Sequence, residues 1–107
     1  MNNRRTLNED GSAWVLFRPT NYPFKLRKQM RDANNDEDAL QIMLPYILGV
    51  NLPTLSGGTV NKLATMDDLA DVDEQIITQI LIEFYKFRGE RNLEVVPKNS
   101  SPPSTDT

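Results

Sequence analysis

The chain has 107 residues, a formal net charge of −3, and neither cysteine nor histidine. This composition removes disulfides, thiolate nucleophiles, the usual zinc sites and the commonest general base, and its acidic balance disfavours a general nucleic-acid binder. The length admits one domain with a modest core; the first residues, MNNRRTLNEDG, lack the apolar stretch of a cleaved signal, and no run approaches the roughly 18 apolar residues of a membrane span, so neither is expected.

Residues 1–12 are polar and read as a flexible N-terminus, ahead of a helical domain over 13–96 and a disordered tail over 97–107. Ala13–Phe17, AWVLF, is the one run with strand character, closed by Arg18 and Pro19. Its candidate pairing partner is Leu93–Val96, LEVV. Thr20 or Asn21 is expected to cap a first helix running to about Ala33, with Pro23 in its opening turn and Tyr22, Leu26, Met30 and Ala33 as its apolar stripe. A second helix starts near Asp36, where Glu37 and Asp38 complement the helix dipole. Pro45 is expected to kink or restart it, because proline removes one backbone bond and crowds the preceding turn. Tyr46, Ile47 and Leu48 then continue to Gly49. Asn51–Gly58 reads as a loop, and Val60–Met66 as a short helical piece.

The strongest pattern lies between Thr65 and Gly89. Asp71 reads as an N-cap, Glu74 closes a capping box and Gly89 is the stop, which gives a helix over Val72–Arg88. Val72, Ile76, Ile77, Ile80, Leu81, Phe84 and Phe87 fill an arc roughly 180° wide. So broad a face must pack against several elements, or against another chain. The fold class expected is therefore mainly α: a small domain of three or four helices with a short N-terminal extended strand and a disordered C-terminal tail.

Four features bear on function. The acidic cluster Asp67, Asp68, Asp71, Asp73 and Glu74 fails the calcium-loop pattern at Leu69 and Gln75, and helix capping accounts for most of it. The first helix carries Lys25, Arg27, Lys28 and Arg31 with Phe24 among them; this is a solvated face, a dock for an acidic partner such as a neighbouring copy, or a single-strand nucleic-acid surface. Ile82 stands among polar residues of the long helix, and with Tyr85 and Phe24 it would make an apolar patch of the kind that marks interfaces. Ser56-Gly57-Gly58-Thr59 lacks the phosphate-loop spacing. No hydroxyl has a base to activate it, so no reaction chemistry, cofactor or metal is expected. The candidate protein-binding residues are Phe24, Lys25, Lys28, Arg31, Ile82 and Tyr85.

The order of the segments resembles the tail assembly chaperones of long-tailed bacteriophages. Residues 14–20, WVLFRPT, are similar to the extended segment that leads into the family's first helix, Ala39–Leu48 to its apolar second helix, and Asp67–Phe87 to its acidic turn and last helix with Phe84 and Phe87 in an F-x-x-F pattern. The resemblance spans roughly residues 13–90. It implies a non-virion helper in the host cytoplasm that coats the tape-measure protein and recruits tail-tube subunits, and it leaves a homo-oligomer open. The tail from Pro97 to Thr107 is similar to the family's short, unshifted ending. The loop around Pro45 and Pro53 and the basic first helix depart from the pattern. A structural head-tail connector or tail terminator, and a small nucleic-acid regulator using the first helix, are the alternatives.

Overall fold

The computed structural model describes residues 2–95. The chain is not mainly α. Four strands form an antiparallel sheet in the order β1-β2-β3-β4, with β1 at Arg4–Thr6, β2 at Trp14–Phe17, β3 at Ile47–Pro53 and β4 at Thr59–Val60. Three helices accompany it: α1 at Lys25–Arg31, α2 at Asp36–Met43 and α3 at Glu74–Val95.

The strand expected at AWVLF is β2, but its neighbours are others. Arg5 pairs with Val15 on one side and Val15 with Val50 on the other. The segment expected to be a flexible N-terminus therefore contributes an edge strand, and Leu93–Val95 belong to α3 rather than to a pairing strand. Val96 and the tail expected over 97–107 lie outside the described residues. The hairpin between β1 and β2 closes through Leu7 N–H to the Ala13 carbonyl at 2.8 Å, and Gly11 takes a positive φ of 78° within it.

Pro45 ends α2 instead of kinking it. A single 3-10 turn at Leu44–Tyr46 follows, and the chain leaves it extended as β3. From Gly49 on, the buried Val50 and Leu52 alternate with the half-buried Gly49, Asn51 and Pro53, the period of two of a strand with one covered face; the exposed Leu48 is the extra residue of a bulge between the Leu16–Gly49 and Phe17–Ile47 pairs. Pro53 takes the last position of β3, where a strand tolerates a residue without an N–H.

The acidic turn before α3 also differs from expectation. Asp73 receives the Gln75 N–H on Oδ1 at 2.9 Å, and its carbonyl receives those of Ile76 and Ile77, so Asp73 caps α3. Asp71 instead holds the β3–β4 turn: its carbonyl accepts from Leu55 N–H, and its carboxylate accepts from the Ser56 N–H at 3.1 Å and from the Ser56 hydroxyl. The capping box belongs to Thr65 and Asp68, on the 3-10 turn Met66–Leu69. Gly89 does not stop α3, which runs to Val95.

The broad apolar arc of α3 meets the sheet. Phe17 of β2 packs its ring 5.2 Å from that of Phe84 and 5.6 Å from that of Phe87, while Tyr22 and Tyr46 stack at 5.0 Å beside them. Phe17, Phe84, Phe87 and Ile80 are fully buried. Arg5, on the inward side of β1, reaches across the same layer to Glu83 at 3.6 Å and Glu90 at 2.6 Å, with its guanidinium 5.5 Å from the Phe87 ring centre. An edge strand is thereby tied to the long helix.

Candidate functional surface on the outer side of the long helix

Ile82, Tyr85, Arg88 and Arg91 follow one another at steps of three on α3, a row that winds half-way round the helix, from the exposed Ile82 and Tyr85 to the half-buried Arg88 and Arg91 on the side of Phe84 and Phe87. Ile82 is 40% exposed and Tyr85 49%. At the Arg91 end the row meets α1: Phe24, Arg27, Arg88 and Arg91 line one depression of about 170 Å³ together with Tyr22 and Leu26. Phe24, at 80% exposure, is the most exposed large apolar side chain among the described residues.

These arginines are held by rings and carbonyls, not by carboxylates. Arg91 donates Nε to the Pro19 carbonyl at 3.0 Å and lies 4.4 Å over the Tyr22 ring. Arg27 sits 5.4 Å over Phe24, and Arg88 sits 5.8 Å over Phe84. Among the described residues no acidic group lies within ion-pair distance of Arg27, Arg88 or Arg91. Partial burial pushes the Arg88 guanidinium below its ordinary value, and the neighbouring charges of Arg27 and Arg91 push it the same way. Burial likewise raises the Tyr22 phenol to about 12, against the opposing pull of Arg91, Arg18 and Arg88, and its hydroxyl donates to the Arg18 carbonyl at 2.6 Å.

The basic face expected on the first helix divides in two. Lys28 pairs with Asp32 at 2.5 Å and Arg31 lies 3.7 Å from the same carboxylate, all in solvent. The pairing raises the Lys28 ammonium and holds the Asp32 carboxyl below its usual range. Lys25, Lys28 and Arg31 line an open groove with Phe24 and Ile42. Only Arg27 of the basic set turns to α3. The candidate residues are thus placed in two groups, Phe24 with Lys25, Lys28 and Arg31 on and beside α1, and Ile82 with Tyr85 on α3; Phe24 reaches α3 at Arg88 and Arg91, and Ile82 and Tyr85 line neither of its two depressions. Arg91 was not legible as a helix residue because Gly89 reads as a stop, whereas Arg88 was the last residue of the expected helix and carried no signal that it would meet Phe24 and Arg27.

The acidic cluster is largely structural. Asp68 accepts the N–H groups of Ala64 and Thr65 at 2.8 and 3.0 Å, which holds its carboxyl below the usual carboxylate range, and Asp71 and Asp73 hold the turn and the helix start described above. Ser56 to Thr59 form the β3–β4 turn, with Gly57 at φ 100°. Among the described residues no group of three or more carboxylates is disposed to hold a metal ion, and no helix is long and apolar enough to cross a membrane.

No family model matches the chain, and neither the curated proteins nor the solved structures yield a match.

Proposed function

We propose that this chain is a protein-binding helper that covers the apolar stripe of a long helical client, in the manner of a tail assembly chaperone. The observation that carries the reading is the outer side of α3: Ile82 and Tyr85 are exposed one turn apart, with Arg88, which has no carboxylate partner among the described residues, next to Tyr85. An apolar pair beside a cation fits an amphipathic helix that carries carboxylates beside its apolar residues. The mainly α architecture implied by the resemblance is not the architecture of the chain, so the proposal rests on this surface and not on the fold. On this proposal the client is a tape-measure protein, the recruited subunits are those of the tail tube, and the place of action is the host cytoplasm.

The test is co-expression with the long helical protein encoded beside this chain, if one is present, followed by affinity measurement. The double variant Ile82→Ser/Tyr85→Ser should keep the fold and lose at least about tenfold in affinity, since each replaced side chain removes apolar contact area. At about 150 mM salt, where charges are screened beyond about 8 Å, no DNA binding is expected. Micromolar DNA binding at that salt, lost in Arg27→Ala/Arg88→Ala, would overturn the chaperone reading in favour of a nucleic-acid regulator.

A further inference from the structure

Phe24 has a counterpart elsewhere on the molecule. At the other end of α3 lies a depression of about 450 Å³, with Met66, Leu69 and Ile77 among its apolar lining and Asp36, Glu37 and Glu74 at its rim. The three rim carboxylates are exposed and have no ion-pair partner among the described residues. A cavity of about 150 Å³ is enough to take benzene, so the depression has room for a phenyl ring. Phe24 is such a ring, standing out in solvent beside three arginines that also lack acidic partners. An apolar knob with a basic collar and an apolar hollow with an acidic collar are complementary in shape and in charge.

The two cannot meet within one copy. Glu74 and Ile77 belong to the first turn of α3, whereas Arg88, which shares a depression with Phe24, lies about 21 Å further along the helix at about 1.5 Å per residue. We infer that Phe24 and its arginine collar dock into the Met66–Ile77 hollow of a second copy of this chain. Such a contact joins different patches on the two partners, so each copy keeps one free knob and one free hollow. Growth then continues to a ring if the rotation closes, or to an open filament if it does not.

The occupant is a second copy because the charges match in number as well as sign, three guanidiniums to three carboxylates, on surfaces of the same protein. Each helix-start carboxylate also favours its own helix dipole, which explains the acids singly. That does not account for the apolar floor between them, or for a ring left 80% exposed at the opposite end.

The experiment is sedimentation of the full chain across a range of concentration. The average mass should rise past that of a dimer, and association should weaken at least about tenfold between 0.1 M and 1 M salt, as the screening length falls from about 10 Å to about 3 Å. Phe24→Ala removes a side chain that is 80% exposed and should weaken association about thirtyfold, the loss typical of an interface anchor. Thr78→Arg sets a cation at the rim of the hollow and should do the same; Glu37→Arg is the substitute if Thr78→Arg fails to show wild-type circular dichroism. Mixing the knob variant with the hollow variant leaves a single competent contact, so the mixture should form dimers and nothing larger. A wild type that stays monomeric throughout, a Phe24→Ala chain that assembles like wild type, or a mixture that stays monomeric each overturns the inference. All of these variants leave Ile82 and Tyr85 in place. Client capture by a monomeric wild type would therefore overturn this contact alone, and assembly without client capture would overturn the client proposal alone.

Discussion

At the scale of single residues, three carboxylates no more than five positions apart do three different jobs. Asp68 closes a capping box, Asp71 fastens a hairpin turn and Asp73 caps α3. Replacing the α3 cap orphans helix-start amides, so Asp73→Ala should cost about 1 kcal/mol in a urea melt. Asp71→Ala should loosen the β3–β4 turn without shortening α3, which amide hydrogen exchange at Ser56 and Gln75 would separate; equal loss of protection at both sites would refute the assignment. A sequence offers no means of dividing neighbouring aspartates among such roles, because the Asp71–Ser56 contact depends on how the hairpin folds back. Tyr22 supplies a pH test. Its phenol sits at about 12 in the folded chain against about 10 for a free tyrosine. The neutral form is thus favoured by folding, so the contribution is complete below about pH 10 and is lost as pH climbs towards 12. Ultraviolet titration of the three tyrosines should show one late ionisation that coincides with alkaline unfolding and is absent from Tyr22→Phe. Three superimposed ionisations near pH 10 would show that Tyr22 is not held as described.

At the scale of elements, Gly89 is the sharpest discriminator. A glycine stop requires a left-handed backbone, and alanine there would be strained. Within α3 the same residue is an exposed helical position where an added Cβ would meet nothing within 4 Å. Gly89→Ala should therefore stabilise the protein by about 1 kcal/mol, the helix-propensity gain of alanine over glycine; a loss of stability would place the end of the helix back at Arg88. Phe84→Ala should cost about 3 to 5 kcal/mol, because it empties the junction between β2 and α3. The amphipathic arc of α3 was legible in the sequence because six residues from Ile76 to Phe87 repeat the helical period; Val72, expected as a seventh, precedes the helix and bridges to Thr54. β2 was legible for a related reason, being short, aromatic and β-branched. β3 was hidden behind Pro45, in a run of mixed apolar residues that suits a buried helix as well as a strand. β1 carries two arginines in three residues, the composition of an edge strand protected from further pairing, and so gives no apolar signal.

At the scale of the whole molecule, the sheet and the helices share one core. The buried cluster takes Val15, Phe17 and Val50 from the strands, Leu26 and Leu40 from the short helices, and Ile80, Phe84 and Phe87 from α3. Pairings such as Val15 with Val50 join segments far apart in the chain, and nothing local in either segment announces the other. That is why the fold class, unlike its separate elements, was not readable in advance. The surface was half readable: Ile82 and Tyr85 are out of place on a polar face, whereas the meeting of Arg88 and Arg91 with Phe24 and Arg27 depends on where α1 packs and, for Arg91, on the true length of α3. A shared core has a thermodynamic consequence that can be measured. Trp14 is the only tryptophan and lies on β2, with the Arg4 guanidinium 4.4 Å from its ring centre, so its fluorescence reports on the sheet. Far-ultraviolet circular dichroism is dominated by the helices and reports chiefly on α3. If Phe17 and Arg5 bind the two layers as tightly as their contacts with Phe84, Phe87, Glu83 and Glu90 indicate, neither layer persists without the other. Urea unfolding should then be a single cooperative transition with the same midpoint by both signals, as for other small domains. Removing β1 by deleting residues 2–6 should lower that common midpoint and leave the two signals together. A tryptophan transition that precedes the loss of helix would mean that the sheet detaches from α3, and that the two layers are separately stable units.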